Sequence, residues 1–269
     1  MNGLYSESFH HLEKAFRVLE GMVPPPEKVR HGDTYVFRYR EQTIHQAMVQ
    51  KLARVISGLH AAWLLVENGF LQEQSALHRM LDEFHEDILF LAFAVINGDQ
   101  TELHQEYLDA FYREEFDHTM LEALHNRPMV PRKKIRAYVA AVEQGGADPS
   151  TAVTLSRTIH SAYSGFVHGA SPHIMDMVEG NPVRFRIHGM AGTSLQETHR
   201  GDLYNPFFRT IVSFAIVAKA FGNEELFQTL RVYHLDFDRM SGRNNAYRPE
   251  TAYDTQSPQP RRTEVAPEI

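Results

Sequence analysis

The chain has no cysteine, which excludes disulfides, zinc–thiolate sites and nucleophilic thiol chemistry. Long apolar runs are missing too. The longest, Ile88 to Ile96, is about half of what a bilayer requires. The start, Met1-Asn2-Gly3-Leu4-Tyr5-Ser6-Glu7, offers no basic region followed by an apolar stretch. No Gly-x4-Gly-Lys-Ser/Thr loop, Gly-x-Gly-x2-Gly turn or Gly-x-Ser-x-Gly elbow occurs, so nucleotide-hydrolase and serine-hydrolase readings lack support. An excess of positive charge is also absent: the formal net charge is −7 and the pI about 6.1. That balance argues against nucleic acid as a partner. With neither cysteine nor signal, the expected setting is a reducing cytoplasm, with no membrane partner.

What is present is apolar and helical. Of 269 residues, 43% are hydrophobic, enough for a packed core. Apolar spacing predicts helices over 4–22, 42–68 and 71–97, the last two stopping at Asn68-Gly69 and Asn97-Gly98. On the third, Leu77, Leu81, Phe84, Ile88, Leu91 and Val95 form one seam. From Ile88 onward it is apolar all round and should be the most buried helix. Asp99 is the expected cap of a fourth helix reaching about 125. A short basic helix is expected at 132–144, its Arg132 to Arg136 cluster forming an exposed face. Asp148-Pro149 should start a helix over 149–170. Further helices are expected over 205–222 and 224–239. Two stretches, 34–40 and 182–188, alternate with period two and are expected to pair as one ribbon with Arg38, Arg40, Arg184 and Arg186 on one surface. The expected architecture is all-α: a multi-helix bundle of seven to nine helices with one small β-ribbon. Residues 1–241 would form a single domain and 242–269 a disordered tail.

Sixteen histidines invite a search for metal sites, with chance set first. A carboxylate three residues before a histidine is the helical di-metal spacing, and roughly two such pairs are expected at random. Four occur: Glu7/His10, Asp82/His85, Glu115/His118 and Glu122/His125. Asp82 and His85 sit off the apolar seam and are expected on a solvated or salt-bridged flank, so no metal site and no cofactor is assigned. Arginine followed by histidine at ribonuclease spacing gives five pairs: Arg38/His45, Arg40/His45, Arg54/His60, Arg79/His85 and Arg113/His118. Roughly four are expected by chance, so there is no excess.

One helix is more distinctive. Over 149–170, Leu155, Ile159, Ala162 and Phe166 form a core face. Arg157, His160, Ser164 and His168 fall on the opposite side. His160 and His168 are two turns apart, roughly 12 Å, so they cannot share a metal ion. They can touch different parts of one elongated ligand.

Leu77-His78-Arg79-Met80-Leu81-Asp82-Glu83-Phe84 resembles the arginine-x3-glutamate helix of an uncharacterised bacterial all-helical family, a domain of unknown function. Tyr163-Ser164-Gly165-Phe166-Val167-His168-Gly169 resembles that family's later tyrosine–serine–histidine segment. The resemblance spans roughly residues 45–175, and some families of this kind resemble the HEPN ribonucleases at a distance. It implies an all-helical fold with a shared polar centre and carries no reaction with it. Arg79 and Glu83, four apart, can pair along the helix. The expected binding centre is Arg79, Glu83, Arg157, His160, Tyr163, Ser164 and His168, serving an unknown small ligand or protein partner. The alternatives are a metal-independent ribonuclease and a histidine/carboxylate metalloprotein. The apolar seams also leave room for a homodimer.

Overall fold

The structure, a computed structural model, describes residues 2–114, 129–143 and 163–242. In chain order the elements are α1 (Asn2–Glu20), the strands β1 (Glu27–His31) and β2 (Thr34–Arg38), α2 (Ile44–Glu67), α3 (Leu71–Asn97), α4 (Glu102–Tyr112) and α5 (Arg132–Glu143). After helical backbone at residues 163–167 come α6 (Ser171–Met175), β3 (Val178–Glu179), β4 (Arg184–Phe185), α7 (Ser194–Asp202), α8 (Tyr204–Ala220) and α9 (Glu224–Ser241). The protein is an all-α multi-helix bundle with small β-ribbons, and the described residues contain these nine helices besides the helical backbone at 163–167. None of these helices is long and apolar enough to cross a membrane.

Local chemistry explains the two central helices. Thr43 caps α2: its hydroxyl accepts from the Gln46 backbone N–H at 3.2 Å, and the Gln46 side chain accepts from the Thr43 N–H at 3.0 Å. The α3 helix closes on Gly98, whose φ of 64° suits a residue without a Cβ. The α2–α3 turn needs Gly69 for two reasons. Its φ is 77°, and an added Cβ would lie 2.2 Å from the Ala191 backbone nitrogen. The Met190 N–H donates to the Gly69 carbonyl at 2.7 Å, which ties the loop before α7 to this turn. The Gln196 amide on α7 then donates to the Val66 carbonyl at 2.8 Å, satisfying the open end of α2.

The α3 helix is the hub. It packs against α2, α5 and α8, while α1 closes over α2, α8 and α9. Leu12 and Leu19 of α1, Leu52 and Leu59 of α2, Leu81 and Leu91 of α3, and Phe207 and Phe214 of α8 lie in one fully buried cluster. The second half of α3 is buried on every side, through Ile88, Phe90, Leu91, Ala92, Phe93 and Ala94, as its composition predicts.

Several sequence expectations change. The fourth helix is capped by Thr101, not Asp99, because His104 Nδ1 accepts the Thr101 N–H at 3.1 Å. It ends at Tyr112, since Arg113 is extended (φ −66°, ψ 131°). The expected continuation from 115 to 125, the start at Asp148-Pro149 and the tail beyond Gly242 lie outside the described residues. The two alternating stretches do not pair with each other. Thr34–Arg38 pairs with the chain just before it, and Arg184–Phe185 with Val178–Glu179, so each hairpin closes locally. A local turn costs far less loop entropy than joining strands 150 residues apart. No shared ribbon brings their arginines onto one face. Arg38 is held by Glu114, Arg40 by Glu27 and Arg186 lies near Glu179.

Candidate functional site

The polar residues of α3 decide what its inward face does. Gln74, His78, Asp82 and Glu86 recur every four residues and so share a stripe. All four are buried, as are Ser75, His85 and Asp87. The Asp82/His85 flank is therefore interior, not solvated, and the polar groups need internal partners.

At the start of the stripe the Gln74 amide bridges two histidines. Its nitrogen lies 2.7 Å from His78 Nε2, and its oxygen lies 3.0 Å from His199 Nδ1. An amide nitrogen only donates, so His78 Nε2 is the accepting nitrogen and its Nδ1 carries the proton. That buried Nδ1–H has no hydrogen-bond partner among the described residues. Burial, with His199 beside it, pushes the His78 pKa down to about 3. His78 is thus a neutral donor at physiological pH.

One turn on, Asp82 Oδ1 accepts from Arg209 Nη1 at 2.5 Å. Its other oxygen, Oδ2, is buried without a partner among the described residues. Burial pushes the Asp82 carboxyl up, and Arg209 opposes the shift. The Glu143 carboxyl behaves alike: burial raises it and Arg209 pulls it back. Tyr163 sets its ring edge-on to His78, with centroids 5.5 Å apart at 85°. Burial and the Asp82 and Asp202 charges push its hydroxyl up to about 12, so it stays protonated. The Arg79–Glu83 pair closes at 3.1 Å on the half-buried rim.

His85 completes the stripe toward α8. The Thr210 hydroxyl donates to the Pro206 carbonyl at 2.7 Å, so it receives from His85 Nε2, and Nδ1 accepts from Ser213 Oγ at 3.0 Å. Burial keeps this imidazole far below its ordinary pKa.

The lower end of the stripe is a buried ion cluster. Arg132 forks between Glu86 and Asp87 and donates to the Glu83 carbonyl at 3.0 Å. Arg136 Nε donates to Glu86 at 2.8 Å, and Lys51 Nζ to Asp87 at 2.6 Å. Burial alone would raise the Glu86 carboxyl, but Arg132 and Arg136 bring it below the usual range. The basic cluster at 132–136 is therefore not simply an exposed face. Arg132 and Arg136 turn inward because they are four apart and meet two buried acids, while Lys133 and Lys134 face solvent.

Of the expected centre, Arg79, Glu83 and Tyr163 gather around this stripe. Ser164 is half-buried, with its carbonyl accepting the His168 N–H at 3.0 Å, and the His168 side chain is exposed. Arg157 and His160 lie outside the described residues, as do Glu115/His118 and Glu122/His125. Among the described residues no group of three metal-ligating side chains gathers. Asp82 is taken by Arg209 and His85 by hydroxyls, and Glu7 lies 3.8 Å from His11 on α1. Sequence reasoning missed Arg209, Glu143, His199 and Arg132. Arg209 had a readable signal, since it is the one cation between Pro206 and Val217 in an apolar helix. No family model matches the chain, and neither does any curated protein or solved structure.

Proposed function

We propose that the protein binds a small, uncharged polar ligand at the centre of this stripe. The carrying observation is the pairing of two buried atoms on adjacent turns of α3, a donor at His78 Nδ1–H and an acceptor at Asp82 Oδ2. Seven buried side-chain atoms among the described residues lack a hydrogen-bond partner, and these two stand out because a donor and an acceptor fall on adjacent turns of one helix, the arrangement we read as a recognition pair. Side chains four apart on a helix are about 5–6 Å apart at Cβ, a spacing that suits adjoining donor and acceptor groups of one molecule. The fitting chemical class is a carboxamide, a cyclic imide or a nucleobase edge. Tyr163 supplies a ring and a neutral hydroxyl beside it, and Arg209 holds Asp82 in place. The depth of both atoms favours a small molecule over a protein partner. The clustering of displaced pKa values supports a functional reading of the same place.

The ribonuclease alternative draws less support. In Arg79/His85 the histidine is fully buried, and His60 of Arg54/His60 is occupied by Glu13 at 3.0 Å.

Nicotinamide, uracil and succinimide are suitable probes for calorimetric titration of the full chain. At least one should bind saturably at one site. Asp82→Asn keeps the volume, but Arg209, which only donates, will hold the amide oxygen. The amide nitrogen then replaces Oδ2, so the ligand's donor meets a donor. Affinity should fall by roughly tenfold or more, the worth of a hydrogen bond to a charged group. Absence of binding by all three, or unchanged binding in Asp82→Asn, would contradict the reading.

A further inference from the structure

Away from the α3 stripe, the β1–β2 hairpin carries a second feature that the bundle does not explain. Direct cross-strand partners share a face, and the register sets Lys28 opposite Phe37 and Arg30 opposite Tyr35. Two cations and two aromatic rings therefore occupy one side of the ribbon. All four are exposed, Tyr35 at 58% and Phe37 at 66%. On the other side only His31 and Val36 are half-buried, while Glu27, Val29, Thr34 and Arg38 are exposed, so the ribbon stands clear of the bundle and its cation–aromatic side is open to solvent. Among the described residues neither Lys28 nor Arg30 has a carboxylate partner. Lys28 Nζ lies 4.6 Å over the Tyr35 ring, and Arg30 Nε donates only to the Gly32 carbonyl at 3.2 Å. Beside the ribbon an open cleft of about 570 Å³ extends the surface past Phe37, Tyr39 and Arg113.

The geometry points to single-stranded nucleic acid as the partner of this face. Tyr35 and Phe37 are two residues apart on one strand, about 7 Å, so each can take its own base. Base stacking on an aromatic ring is tolerant of sequence, and the cations on the neighbouring strand are placed for phosphates. An acidic peptide would use the cations and leave two rings in water. The net charge of −7 speaks against coating a long polyanion, and it leaves room for a short hold through two phosphates. This surface is separate from the proposed ligand site, and either can fail without the other.

Fluorescence anisotropy with labelled octauridylate tests it on the full chain. At low salt binding should be saturable. Two phosphate contacts on a single strand give a log–log salt slope of about −1.4. Phe37→Ala combined with Tyr35→Ala should weaken binding roughly tenfold or more, and Phe37→Trp should keep it. Lys28→Gln with Arg30→Gln should remove most of the salt slope. These side chains are exposed, so circular dichroism should be unchanged in every variant. No binding at low salt, or binding indifferent to the Tyr35/Phe37 pair, overturns the proposal. So does capture of phosphatidylserine vesicles or polyglutamate in preference to the oligonucleotide.

Discussion

Lowering the pH from 7 to 4.5 should cost the folded protein about 5 kcal/mol. His78 and His234 are both buried, and burial holds their pKa values at about 3 and about 4 against an ordinary 6.5. Above pH 6.5 both are neutral in either state and contribute no pH dependence. Below it the unfolded chain takes up a proton at each site that the folded chain cannot accept. Stability therefore falls as pH falls, by about 1.4 kcal/mol per unit per site. Two units below 6.5, each site costs a little under 3 kcal/mol, and measured from pH 7 the two together cost about 5. His85, also held far below its usual value, works in the same direction. Asp82 and Glu143 oppose them, because their raised carboxyls take a proton in the folded state first, and that gain sets in as the pH approaches the carboxylate range. Urea midpoints should be flat from pH 8 to 7 and drop steeply between 6.5 and 4.5. His234→Gln should remove a large share of the drop. A flat profile across the whole range would mean these imidazoles are open to water.

Asp87→Ala should destabilise the fold by about 3–5 kcal/mol, the cost of taking one partner from a buried ion pair. Asp87 holds both Lys51 and Arg132, with side-chain exposures of 7%, 11% and 23%. Without the carboxylate, Lys51 keeps, among the described residues, the faces of Phe84, Phe111 and Tyr107, with centroids 4.9, 5.2 and 5.6 Å away. Those rings offer attraction but accept no strong hydrogen bond. Arg132 keeps Glu86, which places the loss toward the lower end of the range. A fall in Tm of about 10 °C is expected for a chain of this size. The control is Asp236→Ala, whose exposed pair with Arg239 should matter by less than about 0.5 kcal/mol. Thermal melts of the two variants, followed by circular dichroism, give the comparison. Equal effects would contradict the buried cluster.

The elements most legible in the sequence are those whose signals are local. The α2 and α3 helices carry an apolar seam and end at Asn-Gly pairs, so their bounds read almost directly. The α7 helix does not read this way. Its sequence, SLQETHRGD, has no apolar stripe, and it is placed by Gln196 reaching the end of α2. The strand at Thr34–Arg38 shows its alternation, whereas its partner EKVRH shows none, so the pairing was invisible. In the candidate site, Arg79–Glu83 follows from spacing on one helix. Arg132 and Arg136 do not read as inward-facing, because a basic cluster looks solvated until the buried acids opposite it are known. Arg209, Glu143 and His199 reach the centre only through packing between helices, which period and propensity do not encode.

The most direct test of the polar centre is nitrogen-15 NMR of the histidine side chains. The account requires His78 to stay neutral at pH 5, with the proton on Nδ1, because the Gln74 amide nitrogen lies 2.7 Å from Nε2. Its Nδ1 resonance should move when a binding probe is added. An imidazole that titrates near 6.5, or one protonated on Nε2, would mean that His78 is not the buried, unmatched donor on which the site depends.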